Sequence, residues 1–279
     1  MAAPVPSPAS SLLSAGLAHL VWRGDRLADT VPGLPTGYPT LDAALPGGGW
    51  PAGALSELLV PRTGAGELGL LLPLLAQVPP RRWSACIAPP GQPYAPALAA
   101  AGVALERLLL VDADTPAHAR WAARQALESR SCHVVLLWLA EADMGALRRL
   151  QLAAEQSGTP LILIRPADCA GQPSPAVLRL ALTARDGGVE LRILKRRGPQ
   201  PAGPLAIDLP WPDGCRPGVP RSATVSVVPP RRLVLVGRPA LRQTAFGGAS
   251  QENAGPPQVF LTPLGGGNVK DVSWGHSER

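Results

Sequence analysis

The sequence predicts an α/β fold: a mostly parallel sheet with helices on both faces, an edge β-hairpin and a disordered Pro/Gly-rich C-terminal tail. Three observations lead there. Short apolar runs rich in strand formers alternate with helix-period segments between residues 54 and 164, the spacing of right-handed βαβ crossovers. Two further runs, 177–184 and 189–196, flank Asp186-Gly187-Gly188 and read as a hairpin at the sheet's edge. Beyond Gly198 proline and glycine dominate, and so little apolar surface remains that it cannot offset the entropy of ordering. The expected organisation is a disordered segment and helix over 1–34, an α/β core over 35–198, and a largely disordered tail over 199–279.

Residues 1–11, rich in Ala, Pro and Ser, lack the composition of a packed element. Residues 12–27 follow as an amphipathic helix, with Leu13, Leu17, Leu20 and Val21 on one face, and a proline-rich linker, 31–35, leads into the core. The run 54–60, bounded by Gly53 and Pro61, is a buried central strand, and 67–77 turns helical. Strands over 83–88, 108–111, 133–139 and 161–164 then alternate with helices over 94–101, 117–129 and 143–157. Gly102 stops the first of these helices, and Thr115-Pro116 starts the second with a cap and a first-turn proline. Three apolar islands, 205–211, 233–236 and 259–261, lie in the tail, either as partner-binding motifs or as segments without a role.

The 279 residues suffice for one good-sized core, and the net charge of +6 comes almost wholly from arginine. That balance suits a nucleic-acid or acidic-protein partner, or reflects a compositionally biased genome. Cys86, Cys132, Cys169 and Cys215 are scattered with no C-x-x-C pair, which points to a reducing cytoplasm. Neither they nor the four histidines form a metal-ligand pattern, so no metal is expected. The N-terminus has no basic residue before its mild apolar stretch, and no apolar run reaches bilayer length. A soluble, cytoplasmic protein is expected.

Between the strand at 54–60 and the helix at 67–77 lie Pro61, Arg62, Thr63, Gly64, Ala65, Gly66 and Glu67, where nucleotide-binding α/β proteins place a phosphate loop. Such a loop needs a lysine for the outer phosphates and a hydroxyl for magnesium. The only lysines are Lys195 and Lys270, and Gly66 and Glu67, or Glu67 and Leu68, stand where lysine and hydroxyl belong. A carboxylate there complements the helix dipole but repels phosphate. Gly64, Gly66 and Gly69 also spell a dinucleotide fingerprint, yet the next strand runs into Pro89-Pro90 with no acid for the ribose. The loop is therefore read as degenerate, with no cofactor and no catalytic residue.

Thr36, Gly37, Leu41, Asp42, Ala44, Leu45, the glycines 47–49, Pro51 and Gly53, followed by a strand and the loop, resemble the start of a RecA-type ATPase core. The resemblance fades towards Arg197 and implies a RecA-like sheet. It also implies positions for a water-activating glutamate, a magnesium-holding aspartate and a polar γ-phosphate sensor, where this chain has Pro90, Trp138 and Arg165-Pro166. Phosphoryl transfer works by positioning and charge neutralisation, which this set does not supply. With Val21 to Arg26 (VWRGDR), Glu57-Leu58-Leu59, the GxGEL at the loop and the LKRRG ending at Gly198, the chain resembles the ImuA family of translesion-synthesis-associated, RecA/SulA-like proteins. That resemblance implies a non-catalytic accessory role in SOS-induced, error-prone DNA repair. The implied partners are an ImuB-like Y-family polymerase relative, an error-prone replicative-type polymerase, RecA, and DNA directly or indirectly. The alternative is a SulA-type cell-division inhibitor that binds the tubulin-like division GTPase. Arg192, Lys195, Arg196 and Arg197 are candidates for DNA or partner contact, or simply a solvated strand end; no aromatic residue is interleaved as a stacking platform.

Overall fold

The computed structural model describes residues 31–199, 203–209, 231–236 and 258–262. The expected N-terminal disordered segment and amphipathic helix lie outside the described residues. In chain order the elements are α1 (Pro39–Ala44), β1 (Leu55–Val60), α2 (Glu67–Ala76), β2 (Trp83–Ile87), α3 (Ala95–Ala100) and β3 (Leu108–Ala113). There follow α4 (Pro116–Glu128), β4 (Cys132–Trp138), α5 (Met144–Ser157), β5 (Leu161–Pro166), β6 (Leu178–Arg185) and β7 (Gly188–Lys195). Three short strands complete the set: β8 (Leu205–Asp208), β9 (Arg231–Val236) and β10 (Gln258–Thr262). Short 3-10 turns precede β3 (Leu105–Arg107) and follow β5 (Ala167–Gly171).

The strands form one sheet in the order β10-β9-β3-β2-β4-β5-β1-β6-β7-β8. Pairing is parallel from β9 to β6 and antiparallel at the flanks, β9 with β10, β6 with β7 and β7 with β8. Central strands read as continuous apolar runs because both faces are covered. In β5, Ile162 and Ile164 join the core under α1, α2 and α3, while Leu161 and Leu163 join the one under α4 and α5. Local sequence sets the helix starts: Thr115 Oγ1 accepts the His118 N–H (3.1 Å) and Asp143 Oδ1 accepts the Ala146 N–H (2.7 Å).

Two expectations need correction. The proline-rich linker is part of the fold, since Leu34 exchanges backbone hydrogen bonds with Trp50 and Gly33 N–H donates to Gly47 C=O. The hairpin β6–β7 is not the sheet's edge, because β8 pairs outside it with Val189 opposite Ile207. Within the Pro/Gly-rich tail, the described residues include a strand at each of the three apolar islands. A ready sheet edge explains this: main-chain hydrogen bonds to an existing strand offset an ordering entropy that a lone segment could not meet. β8 thus lies at one side of the sheet, and β9 and β10 at the other.

The opening motif is a clamp around α2. Asp42 Oδ1 accepts the Thr36 N–H (2.8 Å), and Thr36 Oγ1 accepts the Tyr38 N–H (3.1 Å). Gly37, at φ +86°, lets the backbone lie on Pro73, whose Cβ would sit 2.4 Å from any Cβ added there. Pro73 is inside α2 and cannot donate to the carbonyl one turn back, that of Gly69. The Tyr38 hydroxyl donates to that carbonyl instead, at 3.0 Å. Burial pushes the Tyr38 pKa up, which keeps the hydroxyl a donor. Tyr38→Phe leaves the Gly69 carbonyl unpaired and is expected to cost about 1–2 kcal/mol in urea unfolding with an unchanged m-value.

Candidate functional site

The carboxyl end of the sheet gathers the positions singled out in the sequence. Val60, where the loop departs, pairs with Pro166, and Ile164 pairs with Trp138, so the ends of β1, β5 and β4 stand side by side. In open α/β sheets this is where ligands bind. Pro90 lies past the end of β2 and is exposed. Trp138 is half-buried, with an indole N–H that finds no acceptor among the described residues.

Pro61, Arg62, Thr63 and Gly64 are exposed, Ala65 is buried, and Gly64 and Gly66 take left-handed conformations (φ +75° and +109°) before α2 begins at Glu67. The Glu67 side chain, only 4% exposed, folds back so that Oε1 accepts the Gly64 N–H at 2.8 Å. A loop amide of the kind that would otherwise cradle a phosphate is thus held by the chain's own carboxylate. Oε2 has no partner among the described residues. Behind the loop, a Cβ added to Gly66 would meet Val189 Cγ1 at 2.6 Å and Leu209 Cδ1 at 3.2 Å. The β7–β8 flank therefore presses on the first turn of α2, and glycine is needed there for close approach as well as for its backbone angle.

On the opposite face lies an arrangement the sequence reading did not find. Glu57, in the middle of β1 and 1% exposed, meets Arg165 of β5 (Nη1, 3.3 Å) and Arg179 of β6 (Nε, 2.6 Å) and accepts a hydrogen bond from Ser174 Oγ (2.8 Å). Both arginines are buried too, at 2% and 7% exposure. Arg179 also donates to the carbonyls of Cys169 and Ala170, which fixes the 3-10 turn after β5, and Arg165 donates to Gln172 Oε1 (2.9 Å) and Ala140 O (3.4 Å). The one available signal was a lone glutamate inside an apolar strand. Its partners lie 108 and 122 residues away in sequence, so no local pattern announces them.

Arg192 is exposed on β7, but Lys195 Nζ donates to Ser174 O (2.9 Å), and Arg196 donates to Pro199 O and Ala44 O. Arg197 is exposed and lines a small groove near Pro51 and Glu155. Two of the four thus hold loops in place. No group of three or more His, Cys, Asp or Glu that could hold a metal occurs among the described residues. Cys86, Cys132 and Cys169 are free and buried, and burial pushes the thiols of Cys86 and Cys132 up to about 12 and about 11, far from a reactive thiolate. No helix among the described residues is long and apolar enough to cross a membrane.

Breaking the carboxylate of the buried network leaves two guanidiniums facing each other without water. Glu57→Gln is expected to destabilise the fold by about 3–5 kcal/mol. Ser174→Ala, which removes one neutral hydrogen bond, should cost about 1 kcal/mol. Urea melts of the two variants check both values.

No family model and no curated protein matches the sequence. Among solved structures, the chain is similar to SulA from Pseudomonas aeruginosa, with 32% identity over 42% of this chain and 99% of that one, at a TM-score of 0.36. More than half of this chain lies outside the match.

Proposed function

We propose that this chain is a non-catalytic accessory protein of the ImuA kind, acting in SOS-induced translesion synthesis through contacts with other proteins. The single observation that carries the non-catalytic part is the Glu67–Gly64 hydrogen bond: the phosphate loop's amide is already occupied by a carboxylate. A nucleotide phosphate would have to displace that carboxylate and would then meet its charge, with no loop lysine to offset either cost. The partners in this reading are an ImuB-like Y-family polymerase relative, an error-prone replicative-type polymerase and RecA. They come from the resemblance of the sequence motifs. DNA is reached directly or through those proteins, and the location is the cytoplasm.

A second reading, a SulA-type inhibitor of the tubulin-like division GTPase, draws on the SulA-like relation. The first is preferred because the ImuA-like motifs extend from Val21 to Gly198.

Titration with a fluorescent ATP analogue is expected to show no saturable binding, with or without magnesium; saturable micromolar binding that requires magnesium would defeat the non-catalytic reading. Pull-down of the tagged full-length chain from DNA-damaged cells should recover the polymerase relative or RecA. Recovery of the division GTPase in their place would favour the second reading.

A further inference from the structure

On the face covered by α4 and α5, just past the carboxyl ends of β4 and β5, lies a cleft of about 360 Å³ lined in part by Arg120, Ala140, Glu141, Asp143, Arg165 and Gln172. Its innermost charge is Arg165. The buried network behind it contains two guanidiniums and one carboxylate, which leaves one positive charge without a counter-ion among the described residues. Arg179 takes the better share of Glu57, at 2.6 Å with its remaining donors on carbonyls. Arg165 is the less compensated of the two: its contacts to Glu57 and Ala140 are 3.3 and 3.4 Å, and its Nε has no acceptor among the described residues. A buried charge in this state is costly unless an anion comes to it.

The wall adds Arg120, half-buried on α4 and in no ion pair among the described residues. Gln172 accepts from Arg165 through its carbonyl oxygen, so its amide nitrogen stays available as a donor. These donors suit an oxyanion. The rim decides which one. Glu141 and Asp143 are both exposed there. Asp143 is held in its ionised form by the Ala146 N–H and by the charges of Arg149 and Arg120. Two rim carboxylates repel a polyanion laid across the mouth, such as a nucleic-acid backbone, while a single carboxylate on an otherwise neutral stretch can pass between them.

We propose that this cleft is a carboxylate-binding site, in which Arg120 grips, beside the buried charge of Arg165, a single Asp or Glu side chain on an otherwise neutral peptide segment of a partner protein. The planar guanidinium fork of Arg120 matches a carboxylate in two-point contact, and the occupant would supply the counter-ion that the buried network lacks among the described residues. The site deepens the adaptor reading and rests on it for the identity of the partner as a protein. It shares no residue with the phosphate loop.

The test uses the purified full chain and a short fluorescein-labelled peptide carrying one Glu in a run of Gly and Ser, followed by anisotropy at low salt. Saturable binding is expected for this peptide and none for its Gln counterpart. Arg120→Ala, on a half-exposed position outside the buried network, should weaken binding roughly tenfold or more while leaving the melting temperature unchanged. Arg120→Lys, which keeps the charge and loses the fork, should weaken it as well. Equal binding by wild type and Arg120→Ala, or no binding at all, would overturn the proposal. So would a labelled oligothymidylate that displaces the peptide and itself depends on Arg120, since the site would then serve phosphate. Because the peptide is read without any cellular partner, a failed pull-down defeats the adaptor reading while this result stands or falls separately.

Discussion

The buried carboxylate of Glu57 is the constraint on which the carboxyl end of the sheet depends. It sits on the strand between β5 and β6 and draws one arginine from each, so three neighbouring strands are tied by charge as well as by their backbone ladder. Arg179 passes the constraint on to the 3-10 turn through two carbonyls, and Arg165 passes it to Gln172 and Ala140. Such an arrangement contributes less to net stability than apolar packing of the same volume would. What it does is fix the geometry of irregular chain segments that have few apolar residues of their own.

The phosphate loop shows the same logic with the sign reversed. A glycine-rich turn before a helix exposes amides that attract an anion, and here the anion is internal. The flank of the sheet then packs against the glycines of that turn, Gly66 and Gly69, through Val189 and Leu209. Backbone, charge and packing in this loop are all set by contacts within the chain. Arg165 stands where the resemblance implies a γ-phosphate sensor, and its guanidinium faces an internal glutamate, which is a similar substitution of a protein group for a phosphate.

Most of the fold was legible because it depends on local pattern. The strand and helix runs between 54 and 195 appear within a few residues of their expected bounds, and Thr115 caps α4 as its sequence suggests. The missing lysine of the loop is plain in the sequence, whereas the Glu67–Gly64 hydrogen bond is not. What stayed hidden depends on distance in the chain. Tyr38 finds the carbonyl freed by Pro73 across 31 residues, and Glu57 finds its arginines across more than a hundred. The strands of the Pro/Gly-rich region escaped for another reason: β8 is short, and its burial of Ile207 becomes favourable only when β7 already offers an edge.

The path of the chain after β8 bears on how this protein is handled in the laboratory. Since β8 lies outside β7 while β9 and β10 lie outside β3, the Pro/Gly-rich region caps both ends of the sheet. A deletion beginning at Gly198 would uncover the backbone donors and acceptors of β3 and β7 together, and open strands of that kind template aggregation. Loss of a partner in such a shortened chain would report insolubility as readily as a missing docking motif. Single substitutions in the exposed loops, which leave both rims sealed, are the sounder instrument for mapping contacts.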